Sequence, residues 1–248
     1  MSVDSSDEAR APRRHGLPGS RTYIRRRGRI TRAQAAALAN ELDPIRVPAD
    51  RPLDAVALFG RSGPLVLEIG FGMGHALLEY ARANPDANCI GAEIYQPGIG
   101  ALARALADAE IVNVRIFEGD ARELVAALLP DAALARAMIY FPDPWPKKRH
   151  HKRRLIEPGF VSRLARKLEP GGRLLLATDW EDYAHTIMDA LEAEPLLENV
   201  AGAGRFAAPS RTSPTRFEAR GARLGHRVWD FEFARRRSQR NAATTESR

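Results

Sequence analysis

The sequence predicts an α/β fold built on a mainly parallel sheet with helices on both faces. Three observations carry this. Short β-rich runs alternate with longer helical patterns from residue 65 to residue 194. A glycine-rich turn closes the first of those runs, and 248 residues suffice for one full α/β core with a short appendage at either end.

Residues 1–22 mix Ser, Asp, Arg, Pro and Gly without apolar periodicity, so they bury too little surface to offset their ordering entropy and are expected to form a disordered tail. Asp4, Asp7 and Glu8 interrupt the arginines, which argues against a targeting segment. Residues 23–60 read as a basic arm and helix. Arg25, Arg26, Arg27 and Arg29 precede Thr31, whose hydroxyl suits the N-cap of a helical pattern running to about Leu42. Pro44, Pro48 and Pro52 then mark irregular chain.

Residues 61–234 carry the domain. Strands are expected at 65–69, 88–93, 113–117, 137–141 and 172–178, and helices at 74–83, 98–108, 121–129, 158–168 and 181–194. A last apolar run at 227–233 follows a Gly/Pro/Arg-rich segment and completes the sheet, and residues 235–248 form a basic tail.

No apolar run approaches the ~18 residues that a membrane-spanning helix needs. The chain is therefore expected to be soluble and cytoplasmic. Its one cysteine, Cys89, lies in an apolar stretch and is expected in the core. Lys plus Arg total 38 against 31 acids, most of the cations being Arg, and the pI is about 10.0. Such a balance points to a polyanionic partner, because phosphate binding draws on clustered cations.

Gly70, Gly72 and Gly74 permit a tight turn and close approach of a ligand to the backbone. A dinucleotide fingerprint would need its third glycine at position 75, which is His75, and no phosphate-binding P-loop occurs. The sequence offers acids instead. Glu68, Glu93 and Asp120 fall at or just past the ends of three successive strands, an arrangement suited to a ligand with ribose hydroxyls, an adenine amine and an ammonium group.

Past the fourth strand, Pro142 and Pro144 hold Asp143 between them, and Trp145 offers either a flat surface for stacking a base or the buried anchor of a rigid turn. Residues 147–154 follow as an unbroken run of Lys, Arg and His with no acid, at the expected mouth of the site. The histidines lack metal-ligand spacing, and no metal is expected. Asp179 falls at the end of the fifth strand, where it could cap the helix that starts at Glu181.

The glycine turn with its three acids resembles the class I methyltransferases, which use S-adenosyl-L-methionine on a Rossmann-like sheet of seven strands. The resemblance narrows to the bacterial tRNA (guanine-N7)-methyltransferase family over residues 23–31, 68–74, 141–147 with the basic run, 177–180, 215–221, 224–226 and 228–230. It implies cofactor contacts at Glu68, Gly70, Gly72, Gly74, Glu93, Asp120 and Asp143, with Asp143 also the catalytic position. It implies substrate contacts at Lys147, Asp179, Thr215, Arg216, Phe217 and Glu218. RNA contacts are implied at Arg149, His150, His151, Lys152, Arg153 and Arg154. The expected product is N7-methylguanosine in the variable loop of tRNA, formed without metal, membrane or obligate protein partner. Two rivals stand beside this reading. Methyltransferases acting on exocyclic amines place an Asn/Asp-Pro-Pro-aromatic motif here, whereas this chain has Asp143-Pro144-Trp145. A silent RNA-binding module would have little need of the acids.

Overall fold

The structure, a computed structural model, describes residues 29–209 and 227–237. Alternation of strand and helix runs as read: β1 (Leu65–Ile69), α3 (His75–Ala83), β2 (Asn88–Glu93), α4 (Gln96–Asp108), β3 (Val114–Glu118), α5 (Ala121–Glu123), β4 (Leu134–Tyr140), α6 (Pro158–Lys167), β5 (Leu168–Thr178) and α7 (Glu181–Glu192). Before them lie α1 (Arg32–Asn40) and α2 (Ala55–Phe59), and after them β6 (Leu197–Asn199) and β7 (Trp229–Arg235). The helix α5 continues as a π-helical turn at Leu124–Leu128.

The strands form one sheet in the order β3-β2-β1-β4-β5-β7-β6. The first five are parallel, while β7 runs antiparallel to β5 and pairs with β6. Period-two alternation sorts the buried side chains onto two faces. Leu65, Leu67 and Ile69 join a core with Phe160, Tyr183 and Ile187 of α6 and α7, whereas Val66, Cys89 and Met138 join Leu77 and Leu102 of α3 and α4. Cys89 is fully buried, in the core position expected.

Two features were not legible. The three-residue β6 is too short to show a period, and the sequence does not reveal that β7 enters antiparallel. The fifth strand also starts at Leu168, with an irregular opening in which Gly171 sits at φ +89° and the register against β4 shifts between Leu134 and Arg136.

The described part of the arm, from residue 29, packs against the sheet and α4. Thr31 caps α1 as expected, and with Gln34 it forms a reciprocal capping box. Beyond α1, the Val47 N–H donates to the Ile116 carbonyl at 2.9 Å and so covers the exposed edge of β3. The helix α1 lies so close to α4 that a Cβ at Gly100 would stand 2.6 Å from the Gln34 carbonyl oxygen.

Successive strands step outward from β1 to β3, then return to the other side of β1 with β4 and β5. At that reversal the connections leave the carboxyl ends of β1 and β4 in opposite directions and open a crevice. The glycine turn and the Asp143 loop are the two segments that flank it.

Candidate active site

The turn after β1 holds Gly70, Gly72 and Gly74 at φ of +73°, +57° and +81°, where a side chain would be strained. Its Gly70 N–H donates to the Ala92 carbonyl at 2.8 Å. Gly98 of α4 is pressed against it, since a Cβ there would meet the Gly72 carbonyl oxygen at 1.9 Å. On the other side the space is open, and a Cβ at Gly70 or Gly72 would meet no atom within 4 Å.

Glu68 follows Val66 by strand alternation and is 3% exposed, with no hydrogen-bond partner for its Oε2 among the described residues. Burial pushes its carboxyl up to about 8, and the charge of Glu93 adds to the rise. A buried acceptor left unmade costs about 1–3 kcal/mol, so this oxygen is poised for a donor.

Glu93 is half-buried and already engaged. Its Oε1 accepts the N–H groups of Ile94 and Tyr95 at 2.7 and 3.0 Å, and its Oε2 accepts that of Gly72 at 2.9 Å. Burial raises its pKa, those three N–H groups oppose the rise, and the charge of Asp143 adds to it. One lone pair of Oε2 remains for a further donor.

Asp120 does the structural work of an N-cap, accepting the Arg122 N–H at 2.9 Å, and also pairs with the Arg122 guanidinium at 3.0 Å. The sequence reading missed Glu118, which faces Glu93 in register. Arg46 donates to it at 2.5 Å, and Gln96 donates to its other oxygen. An acid on the last position of β3 was the available signal; its partner Arg46, 72 positions away, was not.

After β4 the chain makes a strained loop. Phe141 and Trp145 sit at φ of +52° and +46°, a region that costs a non-glycine residue about 1–3 kcal/mol. The Phe141 N–H donates to the Ala177 carbonyl of β5 at 2.8 Å, and Asp143 is exposed at the loop's tip. Trp145 corrects the stacking expectation. It is buried at 7% exposure, with the Arg153 guanidinium 4.9 Å from its ring centroid and His150 edge-on at 5.8 Å. Its plate is already covered.

The basic run forms a 3-10 helix at Lys148–Arg153, started by Lys147. Lys147, Lys148, Arg149 and Lys152 are exposed, while His150, His151 and Arg153 are half-buried. The His150 imidazole is held below its ordinary value by partial desolvation and by the cations Arg153, Arg149, Lys147 and Lys152. Arg154 departs from the expectation of an RNA contact: it is 4% exposed and turned inward onto Asp182 of α7.

Asp179 is half-buried just past β5 and does not cap α7, whose N-cap is Trp180 without a side-chain hydrogen bond. Of the remaining expected site residues, Thr215, Arg216, Phe217 and Glu218 lie outside the described residues. So do the arginines at 25–27 and both tails beyond residues 29 and 237. Among the described residues no His, Cys, Asp and Glu cluster could hold a metal ion, and no helix is long and apolar enough to cross a membrane.

The crevice thus joins an open glycine turn, a buried carboxyl unpartnered at Oε2 and an exposed acid on a stiff loop, and the run of cations follows that loop along the chain. Comparison with known proteins agrees with that chemistry. Residues 62–231 match the family model described as "Putative methyltransferase". The chain is 48% identical over 226 residues to the tRNA (guanine-N(7)-)-methyltransferase of Bordetella parapertussis, covering 91% of this chain and 89% of that one. It is 50% identical over 221 residues to the enzyme of the same name from Thiobacillus denitrificans, covering 88% and 96%. In fold it resembles the crystal structure of the 16S rRNA methyltransferase KamB, with a TM-score of 0.55 at 17% identity over 77% of this chain and 99% of that one. A match this long, spanning the glycine turn, the Asp143 loop and the closing strand, makes the chain a member of the tRNA (guanine-N(7)-)-methyltransferase family.

Proposed function

We propose that the crevice binds S-adenosyl-L-methionine and that the chain transfers its methyl group to N7 of a guanine in tRNA, the variable-loop guanosine, giving N7-methylguanosine in the cytoplasm. The observation that carries this reading is the Glu68 carboxylate, buried and unpartnered at Oε2 beside a glycine turn whose outer side is open. An amino acid ammonium satisfies that acceptor. The residues present fit the rest of the cofactor: Glu93 keeps an acceptor site for a ribose hydroxyl, and Asp120, the N-cap of α5, is the acid assigned to the adenine. Gly70, Gly72 and Gly74 leave room for the methionine part. When bound, the cofactor supplies an electrophilic methyl group.

Guanine N7 has an in-plane lone pair and no proton, so the protein has no proton to remove. Its residues orient the base and stabilise charge. Asp143, near enough to Glu93 to raise its pKa, holds negative charge where the purine ring becomes positive. Prolines on both sides fix its backbone, so little reorganisation is needed at the moment of transfer. Asp179, free of a capping role, accepts from the guanine N1–H and amine, which adenine cannot offer. Lys147 and the exposed cations of the 3-10 helix grip phosphates, and the family resemblance adds Thr215, Arg216, Phe217 and Glu218 as substrate contacts.

The position is tested with two unmodified transcripts of one tRNA, the second carrying adenosine in place of the variable-loop guanosine. Methylation of the first alone supports the reading; equal methylation of both assigns the activity to a different base.

A further inference from the structure

Arg154 belongs to the basic run by sequence, but its surroundings give it a different task. It sits between the 3-10 helix and α6 at 4% exposure. Its Nε donates to the Pro144 carbonyl at 2.9 Å, one terminal nitrogen to the Thr186 hydroxyl at 3.2 Å, and the other to Asp182 Oδ2 at 2.5 Å. The guanidinium carbon lies 4.7 Å from the ring centroid of Tyr183, whose own hydroxyl oxygen accepts the Ile156 N–H at 3.0 Å. The His151 Nε2 closes the cluster, 3.2 Å from the nitrogen that meets Asp182.

Apart from His151 on the adjoining 3-10 helix, the side chain's hydrogen-bond partners come from two separate segments. Pro144 directly follows Asp143 on the loop after β4, while Asp182, Tyr183 and Thr186 stand on α7, the helix that Asp179 introduces after β5. One buried guanidinium therefore spans the two segments that carry the proposed substrate-facing acids. A planar fork with donors in three directions and a face for an aromatic ring is what this bridge requires, and a lysine ammonium lacks both the plane and the spread. A cation that is already desolvated and paired has no counterion to release to phosphate.

We propose that Arg154 is a positioning residue for methyl transfer: it fixes Asp143 relative to Asp179 through the Pro144 carbonyl and α7, and it does not contact RNA. The proposal rests on the reading of Asp143 and Asp179 given above. A guanine aligned between two acids is sensitive to small displacements, because misplacement of about 1 Å can cost on the order of 100-fold in rate.

The test compares full-length wild type with Arg154→Ala, Arg154→Lys, Thr186→Val and Lys152→Ala. Each variant is assayed at a temperature where circular dichroism shows it folded. Single-turnover methylation of saturating unmodified tRNA reports on positioning, and the tRNA Kd as a function of salt reports on phosphate contacts. Arg154→Ala is expected to lower the saturated rate by about 10- to 100-fold while its Kd and salt slope stay at wild-type values. Arg154→Lys should recover only part of the rate. Lys152→Ala should weaken binding and reduce the salt slope. Should Arg154→Ala fail to fold, Thr186→Val decides: it loosens the α7 end of the bridge and is expected to lower the saturated rate by a few-fold at unchanged Kd. A weakened Kd with a smaller salt slope and an intact saturated rate in the Arg154 variants overturns the positioning role alone. Absence of N7-methylguanosine from the wild type overturns the functional reading and the positioning role with it.

Discussion

Glu93 accepts the backbone N–H of Gly72 at 2.9 Å, so the acid that ends β2 also sets the turn that follows β1. The same carboxylate receives the N–H groups of Ile94 and Tyr95, and three backbone donors lose their acceptor if it is removed. Binding and local folding are coupled through one side chain.

Glu93→Ala is therefore expected to lose both stability and cofactor affinity. Three orphaned donors, partly rehydrated, should cost about 1–3 kcal/mol in denaturant unfolding. Titration calorimetry with S-adenosyl-L-methionine should show at least a tenfold weaker Kd. Weak cofactor binding at unchanged stability would remove the structural half of the argument.

Glu68 predicts a pH dependence whose sign is opposite to that of a salt-bridged acid. Burial raises its folded pKa from the ordinary 4.5 to about 8, so between those values the folded state holds a proton that the unfolded state has lost. The stability contributed by this group is complete below pH 4.5 and falls as pH rises to about 8. Its limiting slope is about 1.4 kcal/mol per pH unit for one proton. Without cofactor, wild type should lose stability from pH 6 to pH 8, and Glu68→Gln should flatten that decline. Cofactor binding at pH 7 should also release a proton as the ammonium draws Glu68 into its charged form, seen as a calorimetric enthalpy that varies with the ionisation heat of the buffer. Equal enthalpies in all buffers would contradict it.

Much of this was legible because the signals were local. Short β-rich runs between helical patterns marked β1 to β5, the glycine turn marked the end of β1, and Thr31 marked the N-cap of α1. Contacts across the fold were not legible. Nothing around Arg154 distinguishes it from Arg153, yet one turns inward onto α7 while the other lies over Trp145. Trp145 itself could be plate or anchor, and only the positions of His150 and Arg153 show it covered. Glu118 went unnoticed because the side chains that hold it, Arg46 and Gln96, come from elsewhere in the chain.

Arg149 and Lys152 are exposed on the 3-10 helix that follows the Asp143 loop. Removing either charge should weaken tRNA binding across all tRNA species and lower the slope of log K against log salt by about 1. Filter binding at several salt concentrations measures both quantities. An unchanged slope would move the RNA surface away from this helix.

The most direct test of the central claim is methyl transfer from labelled S-adenosyl-L-methionine to unmodified tRNA, followed by nucleoside analysis, for wild type and Asp143→Ala. The account predicts labelled N7-methylguanosine from wild type and a loss of at least 100-fold in the variant, with tRNA still bound. Label in any other nucleoside, or an Asp143→Ala enzyme as fast as wild type, would contradict it.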